Sequence, residues 1–320
     1  MNKKIKFIDL FAGAGGFSEG FMQANTKDKW FDFLLGSDID ENCELTHHVR
    51  YNHQMGLGSK FLRKNITDHD FIDELKNQLA GEEVDVVAGG PPCQGFSMAG
   101  RGDPEDPRNL LFKEYLRVVG KVRPKTVIFE NVPGFANRYG LGLRERLHRY
   151  LQNKDYEVVS GVLKASDYGV PQLRKRFIAM GVRKDVLNGQ KLSLPESNFS
   201  NKRQRKELTC EAVIGDLDTY AQRGGYGSGT VLGEWEYMTR AKGPFQREMR
   251  RISGRGERGT TWNTMIPNHT PKVAERMRQI IRGRSDFTGT ELESAKLSQR
   301  PLPRDSPPNI TIVSIPDDYV

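Results

Sequence analysis

The sequence predicts an α/β fold: a mostly parallel sheet covered by helices, followed by a smaller, partly irregular, β-containing region. Three observations carry this expectation. Apolar runs of strand length alternate with helical patterns over about 180 residues, as in a sheet built from strand–helix–strand units. Several of those runs are continuous rather than alternating, as in strands buried on both faces. Beyond about residue 190 the pattern gives way to polar and glycine-rich stretches, "ESNFSNKRQRKE", "RGGYGSGT" and "SGRGERGT", and then to the proline-rich "RPLPRDSPPN". A chain of 320 residues exceeds what one core usually holds, so two unequal domains are expected, at 1–190 and 191–320.

In order along the chain, "IKFIDLFAG" reads as a buried strand and "GFSEGFMQA" as a helix with Phe17 and Phe21 four residues apart on one face. A glycine loop joins them. "FDFLLGSDID" is a second strand, and "DFIDELKNQL" a helix with Phe71, Ile72, Leu75 and Leu79 turned inward. "VDVVAGG" is the third strand, followed by the helix "NLLFKEYLRVVG", whose Leu111, Tyr115 and Val118 repeat the helical spacing. "KTVIFENV" is a strand, "LRERLHRYL" a helix, and "YEVVSGVLKA" and "RFIAMGVR" are strands. In the second region the apolar islands "GEWEYM" and "NITIVSI" favour a small β-containing domain over a disordered extension.

Composition narrows the classes. No uninterrupted apolar segment comes near the roughly 20 residues that a bilayer requires. Lys6 and Asp9 interrupt the first apolar stretch, so it does not read as a secretion signal, and a cytoplasmic location is expected. Cys43, Cys93 and Cys210 are an odd number without Cys-x-x-Cys spacing, which suits neither a disulfide framework nor a structural zinc site; no metal is expected. A net charge of +8 suits a polyanionic partner, but equally a solvated basic surface.

Four stretches carry chemistry. In "DLFAGAGGFSEGF" a strand runs through Gly13, Gly15 and Gly16 into a helix, so a ligand can approach amides at the helix N-terminus. Phe11, just before the loop, suits packing against a ligand or a place in the core. An acid ending the second strand can accept hydrogen bonds from ribose hydroxyls, and "GSDID" supplies Asp38, with Asp40 as the less favoured choice. Cys93 follows Pro91 and Pro92 just past a strand end, where open α/β sheets build their sites, whereas Cys43 and Cys210 read as buried apolar residues. "FENVPG" places Glu130 and Asn131 at the end of the next strand. A carboxylate beside a thiol suggests nucleophilic attack assisted by an acid, although Glu130 could instead cap a helix. "GVPQLRKRF" sets Arg174 and Arg176 two apart at the start of a strand, hence on one face, where two guanidiniums can fix a carboxylate or phosphate.

"DLFAGAGGFSEGF", "GGPPCQGFS", "FENVPGF" and "DYGVPQLRKRFI", in that order over residues 5–183, resemble the cytosine-C5 DNA methyltransferase family. The resemblance implies a Rossmann-like, S-adenosylmethionine-dependent methyltransferase core with a target recognition region behind it. It implies that Cys93 adds to C6 of a cytosine flipped out of duplex DNA, that Glu130 holds and protonates the ring at N3, and that Asn131 supports the loop. Arg176 and Arg174 match the arginines that position the cytosine carbonyl and the catalytic carboxylate. Gln94, Ser97 and Arg101 fall in the segment that closes over the target. The cofactor contacts implied are Phe11, Gly13, Gly15, Gly16, Asp38, Ile39, Asn65, Ile66, Pro91 and Leu111. Ile39 stands where many relatives have tryptophan, and Asn65 replaces a common aspartate, so weaker cofactor binding is expected.

The family's last two blocks, an arginine-containing helix and a Gly-Asn-x-Val helix that completes the cofactor pocket, do not occur before the chain stops at "PPNITIVSIPDDYV". The expectation is a truncated chain or the larger half of a split enzyme that needs a second polypeptide. The segment 239–258 has seven basic and two acidic residues, which suits contact with DNA phosphates, while His269 in "WNTMIPNHT" reads as structural. The resemblance points to a modification enzyme of a restriction-modification system. Two alternatives stand beside it: a tRNA cytosine methyltransferase, and a DNA-binding subunit without catalysis. "PPCQGFS" lies nearer the DNA branch, and an intact set of Cys93, Glu130, Arg174 and Arg176 weighs against mere binding.

Overall fold

The computed structural model describes residues 4–92, 111–136, 142–199, 208–216, 235–236, 239–252, 260–261, 272, 275 and 279. The chain divides into two compact units, 1–163 with 175–196, and 164–174 with 197–320. Among the described residues no helix is long and apolar enough to cross a membrane.

The first unit is a seven-stranded sheet. Its strands are β1 (Lys4–Leu10), β2 (Trp30–Asp38), β3 (Lys60–Arg63), β4 (Val86–Gly89), β5 (Thr126–Asn131), β6 (Tyr156–Lys164) and β7 (Lys175–Arg183), in the spatial order 3-2-1-4-5-7-6. β1 to β5 are parallel, and β7 runs antiparallel to β5. The register between β1 and β2 slips once: Phe7 pairs with Phe33 but Ile8 with Leu35, leaving Leu34 as an extra residue in β2.

Helices follow from the apolar spacing. They are α1 (Gly16–Gln23), α2 (Glu41–His47), α3 (Phe71–Leu79), α4 (Leu111–Val122), α5 (Leu143–Gln152) and the short α6 (Lys184–Leu187). α2 continues directly into a π-helical run, His48–Gln54. Because successive strand residues point to opposite faces, β1 feeds two cores. Phe7 joins Phe33, Val86, Met22 of α1 and Tyr51 on one face. Ile8 and Leu10 join Leu35, Val87, Val127 and Phe129 on the other, beneath the inner sides of α3, α4 and α5. Phe71, Leu75, Tyr115, Val118 and Leu147 are fully buried there. Each large apolar side chain so buried contributes about 1.5–3 kcal/mol.

The expected strands and helices of this unit are all present, and two elements join them that the apolar pattern does not announce. β3 is a four-residue edge strand, and α2 with its π-helical extension is dominated by polar residues and histidines.

In the second unit, the helix Cys210–Ile214 is capped by Thr209, whose Oγ1 accepts from the Ala212 amide at 3.2 Å. Trp235–Glu236, inside the island "GEWEYM", pairs antiparallel with Thr260–Thr261. The island "NITIVSI" and His269 lie outside the described residues. The helix Pro244–Ile252 falls in the basic segment, and here one expectation is corrected. Arg250 is 1% exposed, and its Nη2 donates to Asp216 Oδ2 at 2.7 Å and to the Thr239 carbonyl at 2.9 Å. Its charge is spent inside the unit and does not reach phosphates; among the described residues of the segment Arg240, Lys242, Arg247 and Arg251 are exposed, Arg251 paired with Glu248.

Candidate active site

Five parallel strands present their carboxyl ends on one edge, and β1 and β4, which lead away in opposite directions through the sheet, meet at its centre. That is the switch point where open α/β sheets bind ligands. One half of the edge is the glycine loop. Gly13 and Gly15 have φ of +53° and +91°, conformations that favour glycine, and Phe11 holds φ +56°, a strain of about 1–2 kcal/mol for a residue with a Cβ. Phe11 packs partly against the core, so its side chain anchors the loop. No heavy atom stands within 4 Å of where a Cβ at Gly13 or Gly16 would lie, so the loop is open on that side.

The acid chosen in β2 takes its expected place. Asp38 Oδ2 accepts from the Gly13 amide at 2.9 Å, and Oδ1 from Ile39 at 2.8 Å. The alternative, Asp40, is committed to capping α2, its Oδ1 accepting from the Asn42 amide at 2.7 Å. Oδ1 accepts from the Asp40 amide as well, at 3.3 Å, and since a carboxylate offers about four lone-pair sites, Asp38 keeps one, on Oδ2, for a ligand's hydroxyl. Ile39 beside it is 68% exposed.

Asn65 follows β3, and its Oδ1 accepts from the Thr67 amide at 3.1 Å, leaving one lone pair on that oxygen. Ile66 is buried, and its carbonyl is held by Arg117 Nη2 of α4 at 2.6 Å. Leu111 opens α4, half-buried against the core.

The other half of the edge comes from β4 and β5. Pro91 is buried, and Asn131 Nδ2 donates to its carbonyl at 3.1 Å. Glu130 lies within β5, which removes the helix-capping alternative. Its Oε1 lies 2.7 Å from Arg176 Nε, though the N–H is not aligned as a hydrogen bond, so the contact is an ion pair. A Cβ at Gly90 would stand 3.0 Å from Glu130 Oε2, so the second glycine of "GGPP" makes room for that carboxylate. Arg176 is the second residue of β7, whereas Arg174 precedes the strand, its carbonyl accepting from the Ala165 amide at 2.8 Å. Strand alternation therefore does not relate the two arginines. Cys93, Gln94, Ser97 and Arg101 lie outside the described residues.

Three buried polar residues packed around the glycine loop were missed in the sequence. Asp9, 1% exposed, accepts from the Ser18 amide at 3.1 Å and hydroxyl at 2.7 Å through Oδ2, while Oδ1 has no partner. Burial pushes its carboxyl up to about 7, against the pull of the Ser18 hydrogen bonds. His47 and Tyr51 are the other two. An acid inside an apolar strand was a visible signal for Asp9; the spacing of His47 and Tyr51, four apart in a polar stretch, was not.

A glycine loop after the first strand, an acid ending the second and an antiparallel seventh strand define a Rossmann-like methyltransferase domain. The chain belongs to the C-5 cytosine-specific DNA methylase family, whose model matches residues 5–304. It is 33% identical over 286 residues to the type II methyltransferase M1.HphI of Haemophilus parahaemolyticus, covering 88% of this chain and 68% of that protein. To M.DdeI of Desulfomicrobium norvegicum it is 30% identical over 289 residues, covering 88% of this chain and 62% of the relative. To M.XorII of Xanthomonas oryzae it is 42% identical over 185 residues, covering 56% of this chain and 41% of the relative. The chain thus spans between two fifths and two thirds of these relatives' lengths. A crystal structure described as a DNA modification methyltransferase encoded within a prophage (E. coli) shares the fold, with TM-score 0.61 at 22% identity over 94% of this chain and 80% of that one.

Proposed function

We propose that the protein transfers a methyl group from S-adenosylmethionine to C5 of a cytosine flipped out of duplex DNA, through a covalent adduct with Cys93, as the modification enzyme of a restriction-modification system. The observation that carries this reading is the pairing of Glu130 with Arg176 beside the Asn131–Pro91 tie, at the strand ends from which the chain continues to Cys93. Type II methyltransferases among the relatives support the modification role.

The residues of the glycine loop suit this cofactor. The loop is open over Gly13 and Gly16, a buried oxygen of Asp9 lacks a partner, and Asp38 Oδ2 retains a lone pair for a ribose hydroxyl. Ile39, Asn65, Ile66, Pro91 and Leu111 are assigned to the adenine and methionine surroundings. When bound, S-adenosylmethionine supplies an electrophilic methyl group; no metal is invoked.

Cytosine C5 is a weak nucleophile. Addition of the Cys93 thiolate to C6 makes C5 an enamine carbon, and Glu130 donates the proton that N3 takes up as this happens. Arg176 holds Glu130 in place, and Arg174 is assigned to the cytosine carbonyl. After methylation a water molecule takes up the C5 proton, the C6–S bond breaks with Cys93 leaving as the thiolate, and N3 returns its proton to the Glu130 carboxylate, which restores the ring. Gln94, Ser97 and Arg101 are assigned to closing over the base, whose extrusion costs a few kcal/mol. Exposed Arg240, Lys242 and Arg247 of the second unit are assigned to DNA phosphates.

The test is trapping on duplexes containing 5-fluorocytosine with labelled cofactor. A covalent adduct that Cys93→Ala abolishes is expected. No adduct with any duplex, with or without a candidate second chain, or an adduct that survives the substitution, overturns the reading.

A further inference from the structure

Beneath the glycine loop lie two side chains that the steps above do not use. His47 ends α2, and Tyr51 stands four residues on in the π-helical run, a local geometry that recurs at functional sites. They are 3% and 1% exposed, with ring centroids 5.0 Å apart. Tyr51 Oη donates to the Gly15 carbonyl at 3.2 Å. A Cβ at Gly15 would stand 2.6 Å from that hydroxyl oxygen and 3.2 Å from His47 Nε2. A Cβ at Gly36, in β2, would stand 3.1 Å from His47 Nδ1. The imidazole therefore fills the space between the loop and β2, and Gly15 and Gly36 lack side chains where the two rings need room.

Retaining these polar rings is not the cheapest way to fill the space. Neither nitrogen of His47 makes a well-aligned hydrogen bond, the Gly13 backbone being the polar group that acts on the ring, and a buried polar atom so poorly satisfied is costly. Burial pushes the imidazole down to about 4, so it stays neutral around pH 7 and adds no charge beneath the loop. What the pair achieves is orientation. The carbonyl of Gly15 accepts from both Tyr51 Oη and the Glu19 amide, which fixes the peptide plane between Gly15 and Gly16. In a trans peptide the N–H points opposite to the C=O, so the Gly16 amide is directed away from Tyr51, at the N-terminus of α1. Asp38 holds the same loop from its other side through the Gly13 amide.

We propose that His47 and Tyr51 are positioning residues of the cofactor site: holding Gly15 from below, they set the affinity for S-adenosylmethionine without touching a reacting atom. This rests on the reading that the glycine loop holds that cofactor. Alignment of the Gly16 amide is lost when Tyr51 loses its hydroxyl, and the floor under Gly15 is lost when His47 loses its ring.

The test uses the full chain and S-adenosylhomocysteine, the demethylated product of the cofactor, with affinity measured by calorimetry and folding by thermal melting. Tyr51→Phe and His47→Ala are compared with Tyr150→Phe, which removes a hydroxyl bonded to the Leu116 carbonyl at 2.9 Å, well away from the loop. Tyr51→Phe is expected to weaken binding roughly five- to tenfold, as loss of one such hydrogen bond implies. Its melting temperature should fall no further than that of Tyr150→Phe, whose affinity stays at the wild-type value. In turnover, KM for the cofactor should rise with kcat retained at saturation. Where His47→Ala does not fold, Tyr51→Phe decides alone. Wild-type binding with unchanged affinity in Tyr51→Phe overturns this proposal only, whereas a wild-type chain that does not bind overturns the cofactor reading and this proposal with it.

Discussion

Asn131 Nδ2 donates to the carbonyl oxygen of Pro91 at 3.1 Å, tying the end of β5 to the turn that leads from β4 to Cys93. Asn131 Oδ1 also accepts from the Val132 amide at 2.9 Å. Asn131→Ala removes both bonds and is expected to cost about 1–3 kcal/mol in denaturant unfolding, since it leaves a buried carbonyl unpaired. Asn131→Asp keeps the acceptor, loses the donor to Pro91 and sets a carboxylate oxygen against that carbonyl. It should slow adduct formation on 5-fluorocytosine duplexes about tenfold while binding S-adenosylhomocysteine normally, and equal adduct rates would separate Asn131 from the catalytic loop.

Gly90→Ala brings a methyl to 3.0 Å from Glu130 Oε2. The carboxylate is the far end of a flexible side chain, so it gives way at little cost in stability. Moving it disturbs the Arg176 pair. Adduct formation is expected to fall at least tenfold with the melting temperature within a few degrees of wild type, as surface-like substitutions leave it.

Asp9 predicts a pH dependence of folding. Its folded carboxyl is raised to about 7 from an unfolded value of 3.8, so between those values the native state binds the extra proton. Stability from this group is therefore fully present below about pH 4 and is lost as pH rises through 7. Asp9→Asn removes the loss while keeping an acceptor for Ser18. The variant should gain on wild type by at most about 1.4 kcal/mol per pH unit from pH 4 to 7 and then level off. Parallel profiles in urea unfolding would contradict it. His47 works in the opposite sense: its folded pKa is lowered to about 4, so its contribution is lost as pH falls from about 6.5 to 4.

Arg250 and Arg247 are close in sequence and differ in surroundings. Removing Arg250 strands the buried Asp216 carboxylate, and Arg250→Ala should destabilise the second unit by about 3–5 kcal/mol. Arg247→Ala should leave melting unchanged, weaken DNA binding, and reduce the slope of log affinity against log salt by about one. Loss of DNA affinity without destabilisation in Arg250→Ala would reverse these assignments.

What could be read from the chain depended on how each element earns its place. The strands and α3, α4 and α5 bury apolar faces, and their spacing says so; Phe71, Leu75, Tyr115 and Val118 are buried as their positions imply. β3 has only Phe61 and Leu62 as apolar residues, and α2 is fixed by its Asp40 cap and by contacts under the glycine loop. Neither is a periodic signal. The places of Asp38 and Glu130 were legible because Asp38 ends β2 and Glu130 stands one residue before the end of β5. The ion pair of Glu130 with Arg176 was implied only by resemblance, since it joins β5 to an antiparallel β7 some forty residues later. That Arg250 is buried could not be read, because its helix looks like a solvated basic face until Asp216 is brought against it.

The slip at Leu34 makes β2 unforgiving of changes in length. With the extra residue, Ser37 pairs with Leu10, its hydroxyl donating to the Leu62 carbonyl at 3.0 Å, and Asp38 emerges one position later beside Gly13. Deleting one residue from the first half of the strand, with its start still paired to Lys4, would advance Asp38 into the place of Ser37. Its carboxylate would then turn into the core instead of toward the loop. A change of side chain in this strand leaves the register as it is, whereas a change of length moves the acid, so the spacing from the first strand pair to Asp38 is itself part of the site.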